Sequence, residues 1–153
     1  MAEASDAVLA YWSEHRQQLR QSEQQRSTLT NYVLIIASAL GGFTVQQNYS
    51  GRTLPLSVLV VLIGLYGSLT SMKYHERSVY HLQQARALTA SLRQNGVLPD
   101  LGSELEQARL RHYVAFPRMH RLRLHALWTA LHAGVALFGI LLVALTVVNM
   151  ASI

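Results

Sequence analysis

The sequence predicts an all-α membrane protein with three transmembrane helices, two or three of which extend into a cytoplasmic helical stalk. Two apolar stretches, 29–45 and 54–72, contain no charged residue, although 14% of the chain is charged. They have 17 and 19 residues and are separated by eight polar or turn-forming residues. Because a helix needs roughly 20 residues to cross the hydrocarbon core, the two stretches fit a transmembrane hairpin. A third apolar stretch follows at 124–150.

The distribution of basic residues predicts the topology. Of the 13 Lys and Arg residues, three precede the first stretch, one lies in the turn and nine lie between the second and third stretches. The positive-inside rule then places residues 1–28 and 73–123 in the cytoplasm, and the turn and C-terminus outside. The chain divides into a cytoplasmic amphipathic helix (1–28), a transmembrane hairpin (29–72), cytoplasmic helices (73–123) and a third transmembrane helix with the C-terminus (124–153).

The first cytoplasmic segment is expected to be a helix that continues directly into the first span. Residues 3–28 contain neither Gly nor Pro and are rich in Gln, Arg and Glu. Positions suited to helix packing recur at alternating steps of four and three, the spacing of a coiled-coil seam. This seam comprises Val8, Trp12, His15, Leu19, Ser22, Arg26 and Leu29.

The second span is likewise expected to extend into the cytoplasm, antiparallel to the first helix. No helix breaker occurs from residue 73 to Asn95, and Gly96 and Pro99 then predict the end of the helix. The same spacing of four and three recurs in this segment, at Ser78, Leu82, Ala85, Thr89 and Leu92.

A third cytoplasmic helix is predicted before the last span. Ser103 and Glu106 have the spacing of a capping box, and Pro117 is expected to end or kink the helix. Its predicted inner face comprises Leu101, Leu105, Ala108, His112 and Ala115.

Small residues four apart in the spans allow helix backbones to approach closely in lipid. Two interpretations remain open: packing within one subunit, or self-association around a pore. His132 is ionisable and lies in the third stretch, where it is either interfacial or pore-lining. The candidate pore or helix-packing residues are Ser38, Gly41, Gly42, Gly64, Ser68 and His132.

The most basic part of the chain is the stretch 109–125, in which cations alternate with Tyr113 and Phe116. Three interpretations are open: topology control with contact to anionic lipid headgroups, binding of an oligonucleotide or nucleotide through phosphate contacts and base stacking, or a cationic ring at a pore mouth. The candidate anionic-ligand or lipid-binding residues are Arg109, Arg111, Arg118, Arg121, Arg123 and His125.

Catalysis has little support in the sequence, and we expect that the chain is not an enzyme and needs no cofactor. The chain has no cysteine, and its eight acidic residues are scattered over predicted helical surfaces and turns. The seven histidines show neither HExxH nor another metal-binding spacing, and no Gly-rich loop resembles a phosphate cradle.

The architecture resembles the SLATT group of small bacterial membrane effectors, including Hailong-type channel effectors. The resemblance covers about residues 10–95 and is carried by HRQQLRQSEQQRSTLTNYVLIIASALGGF, the hairpin and KYHERSVYHLQQARALTASLR. It implies a pore that depolarises the bacterial inner membrane in antiphage defence, controlled by a nucleotide or oligonucleotide signal or a partner protein. The third span is additional to the two-span pattern of that group. No functional residue of the group is assigned to a position in this chain.

The expected function is therefore a homo-oligomeric inner-membrane channel that is gated through its cytoplasmic helices. The alternative is a non-conducting adaptor or assembly subunit of a membrane complex. A holin is a third interpretation, although the long cytoplasmic stalk exceeds what a lysis-timing pore needs.

Overall fold

A computed structural model describes residues 2–98 and 102–152, with side chains described from residue 6 onward. The described residues form four α-helices and no strand, which confirms the all-α prediction. The helices are α1 (Ala2–Gln46), α2 (Leu54–Gln94), α3 (Gly102–Ala115) and α4 (Leu124–Ala151). Short 3₁₀ turns occupy Gly51–Thr53 and Met119–Arg121.

The hairpin turn has the predicted position between α1 and α2. Asn48 and Tyr49 adopt left-handed backbone conformations, with φ angles of 51° and 54°, and thereby reverse the chain. The Tyr49 backbone N–H donates to the carbonyl of Thr44 at 3.1 Å. The Asn149 side-chain amide of α4 donates to the carbonyls of Asn48 and Tyr49, at 3.2 and 3.3 Å, so α4 holds this turn.

The chain forms two compact units. Unit 1 comprises the residues up to Glu23 and His75–Leu124, and unit 2 comprises Gln24–Tyr74 and the residues from His125 onward. Helices α1 and α2 each contribute residues to both units without a break in the helix.

In unit 1, α1 and α2 pack antiparallel, as predicted. The Trp12 indole N–H donates to Thr89 Oγ1 at 2.9 Å, and Arg77 donates to Gln18 Oε1 at 3.1 Å. Of the seam residues in this unit, Ser22, Ala85 and Leu92 are buried. Helix α2 ends at Gln94, two residues before the predicted Gly96, whose φ is 70°. The predicted Pro99 lies outside the described residues.

Helix α3 departs from its predicted packing. No residue of this helix is buried, and Leu105 is 56% exposed. The predicted inner face is therefore wrong for the residues described, and Leu101 lies outside them. Most of that face is Ala and His, which present little apolar area, so burying it gains little free energy. The capping box is also absent, because Ser103 already lies in the helix and its hydroxyl donates to the Glu104 carboxylate at 3.0 Å.

In unit 2, α1, α2 and α4 pack around an apolar core. A Cβ added at Gly64 would lie 2.7 Å from the Cα of Ala136, and one at Gly139 would lie 2.6 Å from the backbone nitrogen of Val61. Helices α2 and α4 therefore approach at the level of the backbone, an approach that only glycine permits. The buried apolar residues of this core are Val33, Ala37, Val60, Val135 and Leu142.

Three of the helices are long and apolar enough to cross a membrane, by length and composition. The most apolar 18-residue windows of α1, α2 and α4 are only 28, 28 and 33% buried within the chain. Large apolar side chains are exposed on each of these helices, as Ile35, Leu62 and Leu137 illustrate. Exposed apolar surface of this extent is typical of helices surrounded by lipid.

Candidate functional site

The basic stretch is exposed on the surface of unit 1. Every residue from Gly102 to Leu124 is exposed, and the chain contains no Asp or Glu after Glu106. The Glu106 carboxylate pairs with Arg109 at 2.6 Å. The other four arginines of the stretch follow in a part of the sequence without acidic residues, and they are Arg111, Arg118, Arg121 and Arg123. We call residues 109–123 the basic segment.

Aromatic rings of the basic segment contact one another or a neighbouring cation. Tyr113 stacks on His120 with ring centroids 4.7 Å apart, and the Arg109 guanidinium lies 6.0 Å from the Tyr113 ring. Phe116 contacts His112 at 5.0 Å. The sixth candidate of the stretch, His125, lies in unit 2, where it is half-buried and its carbonyl accepts from the Thr129 hydroxyl.

His132 lies at the centre of unit 2 and is completely buried. Its Nε2 is 3.1 Å from Thr30 Oγ1, and the Thr30 hydroxyl donates its proton to the Arg26 carbonyl at 2.9 Å. The Thr30 oxygen therefore accepts from Nε2–H, which leaves Nδ1 facing Gly67. A Cβ added at Gly67 would clash with Nδ1 of the imidazole and would lie 2.9 Å from its Cγ and Cε1, so the missing side chain of the glycine makes room for the ring.

One helical turn from His132, a second layer of polar side chains is buried. Arg26 is 6% exposed, and its guanidinium lies 5.4 Å from the ring of Trp128. The Arg26 Nε, the Trp128 indole nitrogen and the Ser71 hydroxyl have no hydrogen-bond partner among the described residues. Sequence reasoning missed Trp128 and Gly67 and placed Arg26 only in the seam. The (i, i+4) pairs Arg26/Thr30 and Trp128/His132 show that these side chains share a face of each helix, but not which faces of the helices meet.

The other predicted pore or packing residues divide into two groups. Gly41 and Gly64 are buried against Phe138 and Ala136, and the Ser68 hydroxyl faces the Thr129 carbonyl at 3.5 Å. By contrast, Ser38 and Gly42 are exposed. Ser38 lines an open groove of about 370 Å³ between α1 and α4, whose other lining residues are Leu34, Ala37, Ala130, Leu131, Gly134, Val135 and Phe138.

Replacing Thr30 with Val is expected to destabilise unit 2, because His132 would lose the one hydrogen-bond partner that it has among the described residues while remaining buried. Leaving a buried polar group unsatisfied costs about 1–3 kcal/mol. Thermal unfolding in detergent measures the loss. Thr70→Val is the matched control, since the Thr70 hydroxyl bonds only back to its own helix, at the Tyr66 carbonyl. Equal stability of the two variants would contradict this role for Thr30.

In unit 1, His15 and His81 face each other with their Nδ1 atoms 3.1 Å apart. One nitrogen must carry a proton and the other accept it, so a second proton breaks the contact. Burial lowers the pKa of His81, the nearby His15 and Arg77 lower it further, and Glu14 opposes them. Because this folded-state pKa lies below the unfolded value, the contribution to stability is present above about pH 6.5 and is lost as the pH falls.

We therefore expect acidification from neutral pH to loosen the α1–α2 contact in unit 1. The near-ultraviolet dichroism of Trp12, recorded in a Trp128→Phe background, reports this change. The variant His81→Gln should flatten the dependence on pH between 7 and 5. A Trp12 signal that changes with pH to the same extent in His81→Gln would assign the effect to another group.

No group of three His, Cys, Asp or Glu side chains that could hold a metal ion occurs among the described residues. In comparisons with known proteins, no family model, curated protein or solved structure matches the chain.

Proposed function

We propose that the chain is the subunit of a homo-oligomeric channel of the bacterial inner membrane, a pore-forming effector that depolarises the membrane in antiphage defence. Its N-terminus lies in the cytoplasm and its C-terminus outside. A nucleotide or oligonucleotide signal, or a partner protein, gates it through the cytoplasmic helices. The observation that carries this proposal is that α1 and α2 each contribute to both units as uninterrupted helices. A conformational change in unit 1 can then be transmitted to the candidate spans through the continuous backbones of α1 and α2.

Packing within unit 2 supports a pore between copies. Helices α2 and α4 are in backbone contact at Gly64 and Gly139, so protein fills the space between them. We therefore place the water-filled path around an axis shared by several subunits, and not between these two helices. The open groove beside Ser38, where a Cβ on Gly134 would meet nothing within 4 Å, offers a close-packing surface for a second copy.

Site-directed cross-linking tests this assembly, because the natural chain has no cysteine. Ser38→Cys should form disulfide-linked dimers in membranes under mild oxidation. Leu69→Cys is the control, since Leu69 is 68% exposed on α2 and lies outside the groove. Cross-linking at both positions to the same extent would indicate random collision and would contradict the proposed interface.

The alternative function is a non-conducting adaptor or assembly subunit of a larger membrane complex. The exposed helix α3, in which no residue is buried, favours this alternative because it is suited to a partner protein. A monomeric preparation that gives no ion flux in liposomes would support the adaptor. A genetic test separates the channel from a holin. If overexpression of the chain arrests growth and a neighbouring gene product relieves the arrest, the regulated channel is favoured.

A further inference from the structure

We propose that the basic segment, residues 109–123, binds the anionic surface of the membrane and holds the end of unit 1 on the lipid headgroups. The first observation is charge. The segment carries five arginines, and no acidic residue follows Glu106 in the chain. Arginine guanidinium groups make paired hydrogen bonds to phosphate oxygens, so the segment complements phospholipid headgroups.

The second observation is exposed aliphatic surface among these arginines. Val114 is 81% exposed and Met119 is 64% exposed, and Leu122 lies between Arg121 and Arg123. Alternation of exposed apolar and basic side chains is typical of segments that lie in the membrane interface. In water these apolar side chains stay exposed to solvent. At the boundary between headgroups and acyl chains, the arginines contact phosphates and the apolar side chains contact acyl chains.

The third observation is the position of the segment in the chain. The residue that follows it, Leu124, begins α4, which is apolar and long enough to span a membrane. Arg118, Arg121 and Arg123 thus lie within six residues of the candidate span. Surface attraction decays over a Debye length of about 8 Å, so cations this close to the membrane are attracted most strongly.

A lipid surface fits these observations better than a nucleic acid does. The two rings of the segment that could stack on bases, Tyr113 and Phe116, are 40 and 50% exposed, but each already contacts a histidine of the segment, His120 and His112 respectively. Exposed aliphatic side chains outnumber these two rings, and they suit the acyl boundary of a membrane rather than base stacking; they are Leu110, Val114, Met119 and Leu122. The inference rests on the proposed membrane insertion of α4, and the experiment separates the two claims.

The experiment places single cysteines in the cysteine-free chain and labels them with an environment-sensitive fluorophore. Met119→Cys reports the basic segment, Gln83→Cys reports an exposed site elsewhere in unit 1, and Leu137→Cys reports the candidate span. Nanodiscs of phosphatidylcholine are compared with nanodiscs in which part of this lipid is replaced by phosphatidylglycerol. A neutral, water-soluble quencher measures the access of water to each label.

The expected result is protection of the label at Met119→Cys in phosphatidylglycerol discs and not in phosphatidylcholine discs, with no change at Gln83→Cys. Adding R118Q, R121Q and R123Q should remove this protection. Each substitution should lower the ratio of membrane-bound to free segment by about fivefold. The label at Leu137→Cys should be protected in both discs. If it is not, α4 is not inserted and the proposed function itself fails.

Two results would overturn the lipid inference while leaving insertion intact. One is equal quenching at Met119→Cys in the two kinds of disc, with Leu137→Cys protected. The other is protection at Met119→Cys by a single-stranded oligonucleotide in neutral detergent, with none from phosphatidylglycerol, which would make the segment a nucleic-acid surface. Labelling Leu122→Cys repeats the measurement at a second position, and circular dichroism confirms that each variant retains its helices.

Discussion

Substituting Gly64 with Ala should lower the stability of unit 2. The loss should exceed that from the same substitution at Gly41, Gly42 or Gly134. The added Cβ would lie 2.7 Å from the Cα of Ala136 and 2.9 Å from its Cβ. Because these atoms belong to backbone or to a side chain without rotamers, α2 and α4 must separate to accept it. Overpacking of this kind costs about 3 kcal/mol, which corresponds to a fall in melting temperature of roughly 6–12 °C.

Gly134→Ala is the matched control for this prediction. A Cβ at Gly134 meets nothing within 4 Å, and the residue lies in the same candidate span as Ala136. Alanine also has the higher helix propensity, so this variant should be as stable as the wild type or slightly more stable. Thermal unfolding in the same detergent compares the two variants. A melting temperature for Gly64→Ala within a degree or two of that for Gly134→Ala would refute the close α2–α4 contact.

Introducing proline at Tyr74 should uncouple regulation from the candidate spans. Tyr74 lies in the middle of α2, at the last residue before the helix passes into unit 1. Proline removes one backbone hydrogen bond and clashes with the preceding turn, at a cost of about 3 kcal/mol. We expect ion flux to persist in liposomes but no longer to respond to the regulator.

Tyr74→Ala controls for loss of the side chain, because alanine preserves the helix. It should keep both flux and regulation. The equivalent break in α1 is Arg26→Pro, although it also removes the buried guanidinium beside Trp128. Unchanged regulation in Tyr74→Pro, with the helix break verified by circular dichroism, would count against coupling through α2.

The hairpin and the antiparallel pair in unit 1 were predictable from sequence, because each depends on local pattern. Polar turn residues separate two charge-free stretches, and the spacing of four and three places Trp12 and Thr89 on facing seams. The end of α2 was predictable for the same reason, since Gly96 accepts a left-handed backbone without a Cβ clash.

The polar layers of unit 2 were not predictable, because they depend on which faces of three helices meet. Nothing local to His132 indicates that Thr30, about a hundred residues earlier, supplies its hydrogen bond, or that Gly67 makes room for its ring. The exposure of α3 was missed for a related reason. The spacing of its predicted inner face is that of a packed helix, yet most of that face is Ala and His, and spacing alone does not supply a neighbouring helix that covers Leu105.

The central claim is that several copies of the chain form a regulated ion-conducting pore, and conductance in planar bilayers tests it most directly. The purified protein is added to a bilayer, and current is recorded with and without oligonucleotides. The proposal predicts discrete single-channel currents that respond to the regulator. Currents indifferent to oligonucleotides would retain the pore and direct the search to a partner protein. Absence of current from a preparation verified as folded and oligomeric would contradict the channel and favour the adaptor.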